Sequence, residues 1–120
     1  MSLRDNLSEI VENVDGGLAA IIMAYDGIPI DEVIVAQAEF DLQLMIFEYA
    51  TVLKEIKRAV ALINVGEMEE VSITTGQVRV VVRVLNDELF AVLVMAKNGN
   101  FGKGRYLLSL KAHSMAEELG

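Results

Sequence analysis

The stretch GLAAIIMAYDGIPI, residues 17–30, restricts the fold more than any other part of the chain. Its apolar half, LAAIIMAY, has no alternation of apolar and polar residues, so a strand there is buried on both faces and lies inside a sheet. Asp26-Gly27 follows, a dipeptide that favours a tight hairpin turn. Pro29 comes next, and a residue with no N–H is confined to a sheet edge or a strand start. An interior strand is therefore joined directly to an edge strand over about residues 28–34. A doubly wound sheet would pass from strand to helix at this point, so this order argues against one.

The rest of the chain reads around that hairpin. Before it, Leu3, Leu7, Ile10, Val11 and Val14 have helical spacing, with Ser2 and Asp5 as an N-terminal signature and Gly16-Gly17 as a stop. After it, a long helix covers about residues 38–64 and ends near Gly66. Three β-rich runs follow, EEVSITT, QVRVVVRVL and LFAVLVMA, with gaps short enough for antiparallel hairpins. The middle run alternates, with Arg79, Val81, Arg83 and Leu85 on one face and Val78, Val80, Val82 and Val84 on the other. A last helix over about residues 103–119 keeps Leu108, Ala112, Met115 and Leu119 in register. The order is αββαβββα, an α/β (α+β) chain that fits one domain spanning residues 1–120.

Charge and composition exclude several classes. The net charge is −8, and a chain this acidic repels phosphates, so nucleic acid is a poor partner. No apolar run reaches the roughly 18 residues of a membrane span, and no signal peptide is visible, so the expectation is a cytoplasmic protein without membrane insertion. Cysteine is absent, which removes disulfides, a thiol nucleophile and thiolate metal sites. The basic residues Lys97, Lys103, Arg105 and Lys111 cluster late, where a small patch pairing with acids elsewhere is the simplest reading.

The long helix is apolar on two sides. Leu42, Met45, Ile46, Tyr49, Val52, Leu53, Ile56, Val60 and Ile63 form one stripe, centred at about 20° when Ala38 is set at zero, and this is the expected core face. Phe40, Leu44, Phe47, Thr51 and Leu62 form a second strip at about 180–240°. A monomer seldom leaves such a group in water. A further layer of this chain or another chain must cover it. With the other two helices needed on the opposite face of the sheet, another chain is favoured. The run VSITT, with no proline and no internal charge, suits pairing with a copy of itself if it lies at an edge.

These features together resemble the Roadblock/dynein light chain family, in particular its MglB-like prokaryotic members. The resemblance rests on the first helix, VDGGLAAIIMAYDGIPI, the long helix, the three-strand meander and NGNFGKGRYLLSLKA, and it covers essentially the whole chain. It implies a profilin-like, Roadblock-type fold: a five-stranded antiparallel sheet in the order 2-1-5-4-3, the long helix on one face and the terminal helices on the other. It also implies a homodimer through the third strand, with Val71, Ile73 and Thr75 on that strand and Leu44 beside it. The paired long helices would form a platform, carrying Phe40, Leu44, Phe47 and Thr51, that meets a small Ras-like GTPase; Lys54 and Arg58 beside the strip suit either an acidic switch surface of such a partner or a polar rim around the homodimer contact. MglB-like members stimulate GTP hydrolysis without an inserted arginine, by biasing the switch region of the GTPase. Other members of the family act as scaffolds.

No catalytic, cofactor or metal chemistry is expected, and the chain is read as a non-enzyme. His113 is the only histidine and has no constellation around it. Glu67, Glu69 and Glu70 are oxygen ligands on a turn, a common arrangement without a metal. GNFGKGR opens a helix but matches neither phosphate-loop glycine pattern. Lys103 and Arg105 there oppose the helix dipole, to be relieved by solvent, an anion or an acidic loop. Arg79 and Arg83 are expected in solvent or paired across strands with acids. The functional reading is a homodimeric regulator of a small Ras-like GTPase, activating or merely binding it. The alternatives are a structural adaptor and a small-molecule sensor, the latter needing a cavity that Met45, Tyr49 and Met95 would otherwise fill.

Overall fold

The computed structural model describes residues 2–35 and 40–119. Helix α1 (Leu3–Glu12) leads into strands β1 (Gly17–Ala24) and β2 (Pro29–Ile34), helix α2 (Leu42–Leu62), strands β3 (Glu70–Thr74), β4 (Val78–Val84) and β5 (Leu89–Ala96), and helix α3 (Phe101–Leu119). The five strands form one antiparallel sheet in the order β2-β1-β5-β4-β3, as the resemblance implies. The residues between the hairpin and α2 that carry the expected helix start at Ala38 lie outside the described residues.

Two cores explain why β1 and β5 show no alternation. Ala19, Ile21 and Met23 point to the α2 side, where they meet Ile46, Leu53, Val80, Val82, Phe90 and Val92. Ala20 and Ile22 point to the other side, against Leu7, Ile10, Leu93, Leu108 and Met115 of the terminal-helix layer. A strand with apolar partners on both faces has no reason to alternate. The edge strand β2 is guarded as its sequence suggests: Asp31 pairs with Arg4 of α1 at 2.6 Å, and Glu32 accepts from Gln43 of α2 at 3.2 Å. The capping box of α1 is complete, with Ser2 and Asp5 each satisfying the other's backbone N–H.

Two close approaches fix the glycines of the opening and closing motifs. Gly16 has φ +83°, and a Cβ on it would stand 2.8 Å from the Cα of Gly99. The Gly16 carbonyl accepts from Ala96 N–H, and the Asp15 carbonyl accepts from Asn100 N–H. VDGG and NGNFG are thus one contact: two backbones touch where no side chain fits.

Helix α2 departs from its expected limits and phase. It begins at Leu42, with the Asp41 carboxylate accepting from Leu44 N–H at 3.0 Å, so Phe40 precedes the helix instead of riding on it. It ends at Leu62, short of the expected residue 64, where Asn64 at φ 55° and Gly66 at φ 98° turn the chain into β3. The buried residues are Leu42, Ile46, Ala50 and Leu53. Val52 and Ile63, assigned to the core stripe from spacing, are 54% and 66% exposed. These four buried residues are centred about 55° from the predicted centre, while Met45 and Tyr49, near that centre, pack against the core from its flank. Small Ala50 lets the helix lie close to the sheet on that side, a preference that apolar spacing does not register.

Candidate functional site

Exposed apolar residues lie along or just before β2 (Ile28, Ile30, Ile34), on α3 (Tyr106, Leu110) and on α2, and those of α2 stand near the β3 end of the sheet. Among the described residues β3 is hydrogen-bonded to β4 alone and forms one end of the sheet. Val71 and Ile73 are half-buried and pack toward the α2-side core, while Ser72 and Thr74 are exposed. Thr75 lies one residue beyond β3. Its hydroxyl accepts from Val78 N–H at 3.1 Å and from Gln77 N–H at 3.2 Å, so it serves the turn instead of a strand edge.

Above that edge, α2 presents Leu44 at 55% exposure, Val52, Leu62 and Ile63, with Thr51 and Lys54 also exposed. Arg58 is held by Glu55 one turn away at 3.3 Å. Phe40 is half-buried against the core and lines, with Leu44, Met45, Thr75 and Val78, a groove of about 630 Å³ between the start of α2 and the β3–β4 turn. Phe47 is partly used within the chain. Its ring lies over Gly27, which has φ +90°, and a Cβ there would stand 2.5 Å from Cδ2 of the ring. The rest of the ring is open, at 49% exposure. The structure thus brings Leu44, Thr51, Lys54 and Arg58 to the outer side of α2 and sets Phe40 at its foot. Val52 and Ile63 belong to the exposed set and were missed in the sequence, where nothing separates an exposed valine from a buried one.

The basic motif at α3 has an internal answer. Arg105 donates to both carboxylate oxygens of Glu70 at 2.6–2.9 Å, a bidentate pair that ties α3 to the start of β3. This hydrogen bonding, and then the charge of Arg105, holds the Glu70 carboxyl below the usual glutamate range. The Asn100 side chain caps α3 by accepting from Lys103 N–H at 3.1 Å. Arg79 is half-buried and, among the described residues, pairs with no acid, contrary to expectation. Its guanidinium stacks on the Phe101 ring at 3.8 Å, because the start of α3 crosses over that face of β4. Arg83 lies near enough to Glu70 to lower its pKa further. His113 is exposed and sits 3.0 Å from Glu117.

The space a bound small molecule would need between the sheet and α2 is packed by Met45 and Tyr49. Met95, grouped with them from the sequence, belongs to the opposite core, because its place on β5 faces the terminal helices. Tyr25 closes the end of the α2-side core: its ring lies 5.0 Å from Phe90 and 4.6 Å under the Lys57 ammonium. Burial, then the nearby Asp87 carboxylate, raises its phenol pKa. No helix among the described residues is long and apolar enough to cross a membrane.

Comparison with known proteins places this arrangement. No family model matches the chain, and no curated protein does. Among solved structures, MglC from Myxococcus xanthus is 37% identical, with 98% of this chain and 99% of that one covered and a TM-score of 0.72. The chain belongs to the Roadblock/MglB-like family. Two more distant structures share the fold. One is described as MglB with tetrameric arrangement, at 15% identity, 96% and 85% coverage and a TM-score of 0.83. The other is a Roadblock/LC7 domain from Streptomyces avermitilis, at 12% identity, 99% and 98% coverage and a TM-score of 0.82. The glycine contact between residues 16 and 99 accounts physically for the glycines of two of the stretches on which the resemblance rests.

Proposed function

We propose that this chain is a homodimeric, non-enzymatic regulator of a small Ras-like GTPase. Two copies pair through β3, and the outer sides of their α2 helices form the surface that meets the GTPase. The observation that carries the reading is the exposed apolar strip of α2 beside the edge strand β3, whose residues after Glu70 are uncharged. Family membership supports it, and the assembly named for the MglB structure concerns a relative of the same fold.

The magnitudes are sufficient for a two-fold contact. Burying an exposed Val, Leu or Ile contributes at most ~1.5–3 kcal/mol, and a two-fold contact counts each residue twice. Association costs about 4–15 kcal/mol before any net affinity appears. On these figures the four exposed residues Leu44, Val52, Leu62 and Ile63 of each copy can offset the cost, and pairing through β3 would add further stabilisation. Lys54 and Arg58 then flank the apolar platform as cations suited to an acidic switch surface.

The test is a pull-down from native lysate with this protein as bait, once with a non-hydrolysable GTP analogue and once with GDP. A small GTPase retained only in the GTP-like state supports the regulator reading, and a change in its hydrolysis rate on adding the protein would identify an activator. Retention of partners regardless of nucleotide, with no GTPase among them, replaces it with the adaptor reading.

A further inference from the structure

Helix α3 buries Gly104, Leu108, Ala112 and Met115 against the sheet. At about 100° per residue, Lys103, Tyr106, Leu110 and His113 are centred roughly 175° from that set, on the outer side of the helix. All four are exposed, with Tyr106 at 63% and Leu110 at 54%. The terminal-helix layer and α2 lie on opposite faces of the sheet. This surface is therefore separate from the platform on α2, and nothing about it depends on a GTPase or on a dimer.

The charge beside it is the reverse of the charge of the molecule. The chain carries −8 overall, yet no acid occurs between Glu88 and Glu117. Of the cations in that interval, Arg105 is held by Glu70 and Lys111 by Glu9. Lys97 and Lys103 have no ion pair among the described residues. They flank the start of α3, where the Arg79 guanidinium stacks on Phe101. Asp15 also comes near, through the bond from Asn100 N–H to its carbonyl, and leaves the cations there in excess.

We propose that the outer face of α3 is a docking site for an acidic, amphipathic segment of a partner protein. Carboxylates of the segment lie over Lys97 and Lys103. Its apolar side chains cover Tyr106 and Leu110, the latter about 10 Å along the helix from Lys103. An exposed tyrosine beside an aliphatic residue supplies the kind of anchor that dominates protein contacts. The neighbouring cations add attraction that steers an acidic chain to it. A membrane surface or a nucleic acid, being anionic over a large extent, would meet the −8 of the whole molecule. A short segment meets only the local excess of cations, because salt screens charge beyond roughly 10 Å.

The test places the photo-cross-linker benzoylphenylalanine at Leu110 in the full chain, and separately at exposed Thr51 on α2. Each variant is irradiated in native lysate, and the joined peptides are sequenced by mass spectrometry. The expected product from position 110 is an Asp- or Glu-rich segment of another protein with apolar side chains, absent from position 51. Adding Lys97→Glu and Lys103→Glu should remove it. Made as a fluorescent peptide, that segment should bind the unaltered protein and bind Tyr106→Ala about tenfold more weakly, with far-ultraviolet spectra showing both folded. A joined peptide from a second copy of this chain, a neutral or basic segment, or no product at position 110 overturns the proposal. So does capture that survives both charge reversals, or equal peptide binding by Tyr106→Ala. Binding of the unaltered protein to phosphatidylserine vesicles that Lys103→Glu abolishes would give the face to a lipid surface instead. Capture of a GTPase at position 51 bears on the proposed function alone.

Discussion

At Gly27 two demands fall on one residue: a left-handed backbone and an aromatic ring seated where a Cβ would go. Gly27→Ala meets both penalties, the strain of positive φ and the clash with Phe47. Its expected cost is about 1–3 kcal/mol in urea unfolding. In a Phe47→Ala background the steric part disappears, so the same Gly27→Ala change should cost less there; equal costs in both backgrounds would show that the ring does not matter. Glu70 gives a pH prediction. Its folded-state pKa is depressed by Arg105, so the pair stabilises the fold fully above the usual glutamate pKa and loses that contribution as pH falls through the folded value. Thermal unfolding followed from neutral to acid pH should show Glu70→Gln less stable than the parent at neutral pH, with the gap narrowing as acid protonates Glu70. The Asp-Gly turn and the edge proline could be read in the sequence because each acts through its own backbone. The Arg105–Glu70 and Arg79–Phe101 contacts could not, because they depend on which strand lies beneath the start of α3.

Helix α2 shows where periodicity stops being informative. Its apolar residues nearly encircle it, so spacing alone fixes that it is helical but leaves its rotation loose. The buried set Leu42, Ile46, Ala50 and Leu53 includes a small residue that allows close approach to the sheet, and this turns Val52 outward. The distinction can be measured. Leu53→Ala removes fully buried volume and should cost ~2–5 kcal/mol in denaturant unfolding. Val52→Asp should leave the unfolding midpoint of dilute protein nearly unchanged while shifting its mass in sedimentation toward the monomer. If Val52→Asp unfolds the chain, the core face lies where spacing alone had put it. The strands were more legible than the helix, since β1 and β5 carry apolar runs that only a sheet covered on both faces can bury.

Over the whole molecule the two sheet edges are treated differently. β2 is closed by Pro29 and by the pairing of Asp31 with Arg4, whereas β3 has no proline and its one charged residue, Glu70, is held by Arg105 at the start of the strand, leaving Val71, Ser72, Ile73 and Thr74 uncharged. Ser72→Lys places like charges opposite each other if two β3 strands meet about that residue. The expected outcome is a monomer by light scattering, with a far-ultraviolet spectrum like that of the parent. The sheet order required the family resemblance, because strand pattern alone does not say that β1 lies beside β5. That neighbour relation also governs how the chain can be made. The interior strand β1 finds its second partner only in β5, after α2, β3 and β4 have been made, and the Gly16 backbone waits for Ala96 and Gly99. On a ribosome, the greasy first hairpin therefore emerges with one side of its interior strand unpaired, and stays so until β5 has been translated. Synthesis is then the period in which this protein is most prone to aggregate, and the completion of β5 is the step that ends it.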